Sequence, residues 1–463
     1  MGRITLENVK KVHFIGIGGI SMSGLAEVLK KDGYIVTGSD DVASEITEHL
    51  KGLGLDITIP NSAENIAEDI DLVVYTAAVK PSNPEFQAAK QLNKQVVERA
   101  ELIGEILKGY DHAICVAGTH GKTTTTSLVA EVALAAGFDP TISIGGHMGA
   151  GGQNYRVGES SYFVMEACEY RRQFHYWHPQ VAIILNIDAD HLDIYGDLHG
   201  VIDAFRKFAE NIRPDGLLVI QADQPGFDVV TKDLACDVIT FSMDESKGRF
   251  WPANVEYDEL GRPSFEVMDG DKSVAWVILP LPGEYNMLNA LACFAAADWL
   301  GIDEDVIVQA LANAKGAKRR FQYKGVYNGA DIIDDYAHHP REIQACLAAA
   351  ATACAADERR VICLFQPHTY TRTRNHFDEF IQSFDDADLI LFLPIYAARE
   401  PFDVSISSEM LTDALKKNGK NAMHFENFEA TEKYLRENLF PGDMLITMGA
   451  GDVYKVGESL LST

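Results

Sequence analysis

The segment Gly118-Thr-His-Gly121-Lys122-Thr123-Thr124 constrains the fold of this chain more than any other. It follows a short apolar run, His112–Ala117, and precedes an apolar-rich stretch with the pattern of a helix. A strand, a glycine turn and a helix in this order point backbone N–H groups at an anion. Lys122 is then expected to reach the terminal phosphates of ATP, and the Thr123 hydroxyl to bind Mg²⁺. The usual first glycine of such a loop would stand at position 116, which is Val116, so the spacing departs from the common pattern.

Short apolar strands alternate with helical stretches along the rest of the chain, which predicts parallel sheets. A length of 463 residues is about three times that of a typical domain. Changes in the pattern near residues 109 and 322 predict three α/β domains, residues 1–108, 109–322 and 323–463. Between Cys236 and Pro280 the segments are short and separated by Gly and Asp turns, which predicts an antiparallel annex to the second domain.

Composition limits the classes of partner. The chain has 40 Lys and Arg against 68 Asp and Glu, a formal charge of −28, which argues against a nucleic-acid partner or an anionic membrane surface. Its seven cysteines form no CxxC pair, as expected for reduced thiols in a cytoplasmic protein. No apolar run approaches the roughly 18 residues of a membrane span, so no membrane insertion is expected.

Two further residues fit a metal site beside the phosphate loop. Glu166 ends the apolar run Phe163-Val164-Met165, where an acid that holds the metal of a nucleotide is expected. His191 follows another apolar run and could contact metal or phosphate at the same sheet edge. An acid that merely ends a strand is the alternative for Glu166.

A second glycine loop lies near the N-terminus. Gly16-Ile-Gly18-Gly19-Ile-Ser21 follows a strand and precedes a helix, with Asp40 at the end of the next strand. This pattern is typical of a loop that binds a diphosphate, with the acid on a ribose. Ser21 replaces the third glycine, so the pattern indicates a diphosphate more strongly than NAD, and a plain tight turn remains an alternative.

Three polar clusters lie in the last third of the chain. Arg319-Arg320-Phe321 stands at the second predicted boundary, where a guanidinium could reach a γ-phosphate. The segment Asp334-Asp335-Tyr336-Ala337-His338-His339-Pro340 ends a strand and begins a helix, a position suited to ligand contact, although aspartates there also serve as helix N-caps. In the segment from Gln366 to Arg374 two arginines are spaced i and i+2, which on an extended segment would place both on one face as a fork for a carboxylate. Exposed surface arginines are the alternative.

In this order, the motifs resemble those of the Mur ligases, ATP-dependent ligases of peptidoglycan precursor synthesis. The resemblance covers essentially the whole chain and rests on GIGGISMSG, ERAELIGEIL, GTHGKTTT, LNIDADH, PGEYNMLNALA, GAKRRF, DDYAHHPREI and FQPHTYTRTR. It implies a Rossmann-like N-terminal domain that binds a UDP sugar, a central P-loop ATPase-type α/β domain, and a Rossmann-like C-terminal domain.

The resemblance also implies a reaction. The lactyl carboxylate of UDP-N-acetylmuramate would attack the γ-phosphate of MgATP, and the amine of L-alanine would then displace phosphate from the acyl phosphate. Apart from the resemblance, we expect a monomer or homodimer in the cytoplasm.

The family's functional residues carry over to matching positions. The implied ATP contacts are Gly118, Thr119, His120, Gly121, Lys122, Thr123, Thr124, Asn286, Asn289, Arg320 and Asp335. The implied UDP-sugar contacts are Gly16, Gly18, Gly19, Ser21 and Asp40, and the implied amino-acid contacts are Tyr336, His338, His368, Arg372 and Arg374. Thr123, Glu166 and His191 would hold Mg²⁺, and Lys122, Glu166, His191 and Arg320 would be the catalytic residues.

Some features depart from the family pattern, and other functions remain open. Cys168 interrupts the acid-rich run after Glu166, which leaves the role of the second acid, Glu169, undecided. Lys207 lies where some relatives carry a modified lysine, but no modification is inferred. The competing hypotheses are a ligase that recycles muropeptides by joining a tripeptide to the same nucleotide, an NAD-dependent oxidoreductase, and an ATP-binding scaffold without ligase activity.

Overall fold

A computed structural model describes residues 5–145 and 154–462. Residues 1–4 and Thr463, at the outer ends of the first and third predicted domains, lie outside the described residues. The chain forms two compact units, Met1–Trp251 with Leu291–Ile307, and Pro252–Ala290 with Val308–Thr463. Within the described ranges, no helix combines the length and the apolar character needed to cross a membrane.

The first unit begins with a five-stranded parallel sheet in the order β3-β2-β1-β4-β5. Its strands are β1 (Lys11–Ile15), β2 (Ile35–Ser39), β3 (Asp56–Thr58), β4 (Leu72–Tyr75) and β5 (Gln95–Glu98), and its helices are α1 (Ile20–Lys31), α2 (Glu45–Gly52), α3 (Pro84–Gln91) and α4 (Arg99–Leu107). Local signals set the helix ends: α3 begins at Pro84 because the Asn83 side chain accepts the next two backbone N–H groups. The strand order reverses between β1 and β4, which is where open α/β sheets bind ligands.

The second sheet has ten strands, and those that lie wholly in this unit have the order β12-β11-β10-β6-β9-β7-β8. These strands are β6 (His112–Ala117), β7 (Thr141–Ser143), β8 (Tyr155–Arg156), β9 (Tyr162–Glu166), β10 (Val181–Ile184), β11 (Leu217–Gln221) and β12 (Asp237–Phe241), and the helices between them are α5 (Lys122–Ala135), α6 (Leu192–Tyr195), α7 (Leu198–Ala209) and α8 (Phe227–Thr231). All neighbours are parallel except β7 and β8. Every residue of β10 is buried, as expected for a parallel strand covered on both faces.

The stretch predicted to be an antiparallel annex is antiparallel only in part. Strand β12 is parallel to β11, and β13 (Phe250–Tyr257) begins in the first unit, where Phe250 pairs with Phe241 of β12 in parallel. In the second unit, β14 (Pro263–Asp269) and β15 (Lys272–Ile278) form an antiparallel hairpin. Helices α9 (Glu284–Trp299) and α10 (Glu304–Ala312) follow.

The second unit ends in a six-stranded sheet in the order β16-β17-β21-β18-β19-β20. Its strands are β16 (Gln322–Tyr327), β17 (Ala330–Asp335), β18 (Val361–Phe365), β19 (Leu389–Phe392), β20 (Ala422–His424) and β21 (Met444–Met448). Its helices are α11 (Pro340–Cys354), α12 (Tyr370–Asn375), α13 (Phe377–Ile381), α14 (Ser408–Lys417), α15 (Phe428–Asn438) and α16 (Tyr454–Leu461). All strand pairs are parallel except β16 with β17. Two separate apolar clusters pack on this sheet, as expected for alternate side chains pointing to opposite faces.

The predicted α/β class, with three parallel or mixed sheets, is confirmed. One local expectation is wrong, because the segment that carries Arg372 and Arg374 is helix α12 and not an extended strand. The predicted boundary at residue 322 coincides with the first residue of β16, and the domain limits themselves stay a prediction.

Candidate active site

The phosphate-type loop runs from the end of β6 to the start of α5. Gly121 precedes the helix with φ +81°, a left-handed conformation that glycine adopts without strain. At Gly118, with φ +139°, an added Cβ would lie 3.0 Å from the Leu185 side chain. Asn186, just after β10, accepts from the His120 N–H at 2.7 Å and donates to the His120 carbonyl at 3.1 Å. A residue that follows the neighbouring strand β10 therefore fixes the conformation of the loop.

Lys122, the first residue of α5, lies under this loop. Its ammonium donates to the carbonyls of Gly118 at 2.6 Å and Thr119 at 3.0 Å, and its Nζ lies 3.0 Å from Glu169 Oε2. Burial lowers the pKa of Lys122, but Glu169, and after it Cys168 and Glu166, outweigh the effect of burial and hold that pKa above its ordinary value. Lys122 is therefore a fixed positive charge at every physiological pH.

Thr123 and Glu166 lie in contact, and their role as metal ligands stays a prediction. The Thr123 hydroxyl donates to Glu166 Oε2 at 2.9 Å, and the Gly145 N–H donates to the same oxygen at 2.9 Å. A hydroxyl and a carboxylate are ligands that Mg²⁺ prefers, so the donor set fits the ion. In the part of the chain that the structure describes, no hydrogen bond or ion pair joins His191 to either residue; its Nε2 lies 3.7 Å from a carboxylate oxygen of Glu169 and of Asp190.

Glu169, Asp190 and His191 form a second cluster around the same loop. Their ligand atoms all lie within 4.8 Å of one another. His191 has φ +53°, an uncommon conformation for a residue other than glycine. Glu169 thus touches both Lys122 and His191, a role that the sequence left undecided. The sequence signal for this role of Glu169 is its position three residues after Glu166.

The N-terminal glycine loop follows β1 at the point where the strand order reverses. The N–H groups of Gly16 and Ile17 donate to the Ser39 carbonyl at 2.8 and 2.9 Å. The Gly18 N–H donates to Asp40 Oδ2 at 2.9 Å, and a Cβ at Gly18 would lie 2.8 Å from that oxygen. Asp40 therefore shapes the loop, and Gly19 and Ser21 lie at the start of α1. Binding of a UDP sugar here stays a prediction.

In the second unit, the two arginines of the RRF motif have different surroundings. Arg319 donates to Asp334 at 2.9 Å and to the Gly449 carbonyl at 2.7 Å, so it is a structural cation. The Arg320 guanidinium lies 5.3 Å from the centre of the Tyr336 ring, within the range of a cation–π contact.

Asp335 is buried at the end of β17. Its carboxylate accepts from the N–H groups of Phe321 and Ala337, both at 2.6 Å. Burial raises the pKa of Asp335 to about 6, although the charge of Arg320 opposes the rise. The predicted adenine contacts Asn286 and Asn289 are also buried and bond to each other at 3.1 Å.

The predicted amino-acid residues form a partly connected group. The rings of Tyr336 and His338 lie 5.4 Å apart and those of His338 and His368 5.9 Å apart. Arg372 Nη1 lies 3.1 Å from His368 Nδ1. Burial, and next the charge of Arg372, lowers the pKa of His368 to about 4, and burial also lowers the pKa of His338. Both imidazoles are therefore neutral at pH 7.

Arg374 does not join this group. Because α12 turns about 100° per residue, side chains at i and i+2 point to nearly opposite sides. Arg374 forms an ion pair with Asp403, whereas Arg372 contacts His368. The fork expected from an extended segment is therefore wrong.

Together, the fold and the site define an α/β protein with a P-loop-type nucleotide site and a second glycine loop at a sheet switch point. Three family models match consecutive parts of the chain. They are described as "Mur ligase family, catalytic domain" for residues 11–111, "Mur ligase middle domain" for residues 116–297, and "Mur ligase, glutamate ligase domain" for residues 319–451.

Individual relatives match over their full length. A UDP-N-acetylmuramate--L-alanine ligase of Lachnospira eligens is 48% identical over 461 residues, covering 100% of both chains. The crystal structure of a UDP-N-acetylmuramate-alanine ligase from Thermotoga maritima superposes with a TM-score of 0.78 at 30% identity and 98% coverage of each chain. A murein peptide ligase from Psychrobacter arcticus shares the fold, with a TM-score of 0.66, 24% identity and 98% coverage of each chain. This chain belongs to the Mur ligase family.

Proposed function

We propose that the chain is an ATP-dependent ligase that joins L-alanine to the lactyl carboxylate of UDP-N-acetylmuramate, in the synthesis of peptidoglycan precursors. The observation that carries the proposal is the full-length identity of 48% to a protein named for that activity. The fixed cation Lys122 and the paired Thr123 and Glu166 support it, because they supply the parts that phosphoryl transfer needs.

In the first step, the carboxylate attacks the γ-phosphate of ATP to give an acyl phosphate and ADP. Lys122 leaves its loop carbonyls for the phosphates, and the backbone N–H groups at the start of α5 face the same anion. Arg320 is assigned to the γ-phosphate. These groups act by position and charge, since phosphoryl transfer asks little covalent chemistry of the protein.

We infer Mg²⁺ as the ion that accompanies ATP. Thr123 and Glu166 supply oxygen ligands and His191 an imidazole nitrogen at the same loop. When bound, the ion neutralises charge on the transferred phosphoryl group.

In the second step, the uncharged amine of L-alanine attacks the acyl phosphate and phosphate leaves. Arg372 is assigned to the carboxylate of the amino acid, a pairing that a guanidinium favours. His191, His338 and His368 are the candidates to accept the amine proton, and the lowered pKa values of His338 and His368 keep both imidazoles neutral at pH 7. The glycine loop after β1 is assigned to the diphosphate of the UDP sugar.

An assay of ADP release with each substrate omitted in turn tests the proposal. Strict dependence on ATP, UDP-N-acetylmuramate and L-alanine is expected, together with loss of activity when Mg²⁺ is chelated. The same assay with the tripeptide L-alanyl-γ-D-glutamyl-meso-diaminopimelate addresses the second candidate, the recycling ligase. Activity with the tripeptide alone would overturn the assignment, and hydride transfer to NAD would indicate an oxidoreductase.

A further inference from the structure

Arg99 is a cation that the proposed mechanism does not use. It is the first residue of α4, directly after β5, and its side chain is half-buried. Because β5 runs parallel to β4 and β4 to β1, Arg99 lies at the same edge of the sheet as the glycine loop that follows β1. This is the edge at which ligands of open α/β sheets bind.

The guanidinium of Arg99 has donors to spare. Among residues 5–145 and 154–462, it makes one hydrogen bond, from Nη2 to the Gln173 side-chain oxygen at 2.9 Å, and no carboxylate lies within 4 Å of it. A guanidinium has five N–H donors, and a cation removed from water is normally paired with an anion. Arg99 is therefore suited to an anionic ligand.

Gln173 separates Arg99 from the nearest acid. Its amide nitrogen donates to Glu98 Oε1 at 2.9 Å while its amide oxygen accepts from Arg99. This neutral bridge orients the guanidinium and keeps its charge from being cancelled by Glu98. A glutamate at position 173 would instead neutralise it.

The Arg99 side chain also contacts the segment that follows β9, because its partner Gln173 lies in that segment. Burial lowers the pKa of Arg99, and the groups that act against this are first the Cys168 thiol and then Glu98. Cys168 directly precedes Glu169, the acid paired with Lys122. Through Gln173, which follows Glu169 by four residues, Arg99 is linked to the segment that carries the acid paired with Lys122.

We propose that Arg99 binds the lactyl carboxylate of the sugar nucleotide and points it at the γ-phosphate. The proposal rests on the proposed function and adds a residue that selects the substrate by its carboxylate. A planar guanidinium can hold a carboxylate with two parallel hydrogen bonds, which places the nucleophile without consuming it.

Calorimetric binding of two sugar nucleotides to the full chain tests this proposal. UDP-N-acetylmuramate carries the lactyl carboxylate and UDP-N-acetylglucosamine lacks it, so their ratio of affinities isolates that group. Arg99→Gln is expected to weaken UDP-N-acetylmuramate by roughly 10- to 100-fold, the range for hydrogen bonds to a charged group, and UDP-N-acetylglucosamine by less than about threefold. Arg262→Gln, which removes an exposed arginine from a turn, should leave the ratio unchanged.

Gln173→Glu supplies an independent variant in which Arg99 is intact. Like Arg99→Gln, it should reduce the preference for UDP-N-acetylmuramate over UDP-N-acetylglucosamine. It therefore provides the test if Arg99→Gln fails to fold. An equal loss for both nucleotides, or an unchanged ratio in both variants, would overturn the proposal. Failure of the proposed function would look different, because the unaltered chain would then release no ADP with its three substrates.

Discussion

Lys122 and Thr123 are neighbours in sequence but are held by different acids. Lys122 is paired with Glu169, and Thr123 with Glu166. The cation proposed to bind phosphate and the hydroxyl proposed to bind metal are therefore held by separate carboxylates. The sequence indicated Glu166, since it ends an apolar strand, but the position of Glu169 depends on how the chain turns after β9.

Replacing Thr123 by valine should impair metal use without unfolding the chain. The change keeps the shape of the side chain and removes the hydroxyl that bonds to Glu166. We expect the Mg²⁺ concentration for half-maximal ADP release to rise about tenfold or more, and kcat to fall by up to about 10²-fold. Thr125→Val is the matched control, because the buried Thr125 hydroxyl has no hydrogen-bond partner among the described residues. An unchanged Mg²⁺ requirement in Thr123→Val would remove Thr123 from the metal site.

His368 should make the stability of the chain depend on pH in the acid range. Its pKa falls from an ordinary 6.5 to about 4 on folding, so between these values the unfolded chain binds more protons and stability decreases as pH falls. After allowance for its partial exposure, we expect about 1 kcal/mol of this loss between pH 7 and pH 5. Urea unfolding of His368→Gln should show a loss of stability between pH 7 and pH 5 that is smaller by that amount. If stability depended on pH identically in His368→Gln and in the unaltered chain, the loss could not be attributed to His368.

Helices and strands bring the site residues together through their ends. The phosphate-type loop follows β6, Glu166 ends β9, and Asn186 follows β10, and these three strands are adjacent and parallel. Sequence patterns predicted each strand but not their order in the sheet. The helical conformation of residues 370–375 was also missed, because the Thr369 side chain caps α12 within a run of alternating polar residues.

Helix α1 should be sensitive to any side chain at Gly24. A Cβ there would lie 2.2 Å from the ring of Tyr155 in β8, so helix and ring pack without space between them. We expect Gly24→Ala to lower the free energy of unfolding by about 1–3 kcal/mol, as overpacking does. Gly52→Ala is the control: it lies at the end of α2 with no atom within 4 Å of an added Cβ, and should be neutral or slightly stabilising. Equal effects of the two changes, measured by urea unfolding, would contradict the packing argument.

At the scale of the whole molecule, net charge and local charge have opposite signs. The chain carries −28, yet its proposed ligands are anions. Lys122, Arg99 and helix N-termini present positive charge or oriented N–H groups at the sheet edges. Global charge therefore argues against polyanions but not against small anions in such sites.

The C-terminal sheet should fold as an isolated fragment of residues 319–463. It has apolar clusters on both faces, so we expect cooperative urea unfolding followed by circular dichroism. A fragment that starts at the predicted boundary, residue 323, should be less stable by on the order of 2 kcal/mol or more. The shorter fragment lacks the buried Phe321 and the ion pair of Arg319 with Asp334. Equal stability of the two fragments would support the boundary at 323.

The sequence by itself determined the α/β class, the phosphate-type loop, the position of Glu166 at the end of a strand, and the family. These depend on local signals, such as apolar strands, glycines that allow a turn, and helix caps, which are read over a few residues. Tertiary structure decided the partner of Lys122, the hydrogen bonds of Asn186 to the loop, the contact of Arg372 with His368, and the contact of Arg99 with Gln173. Each of these contacts joins side chains from separate elements, because strand order and turn geometry bring together residues that no local pattern connects.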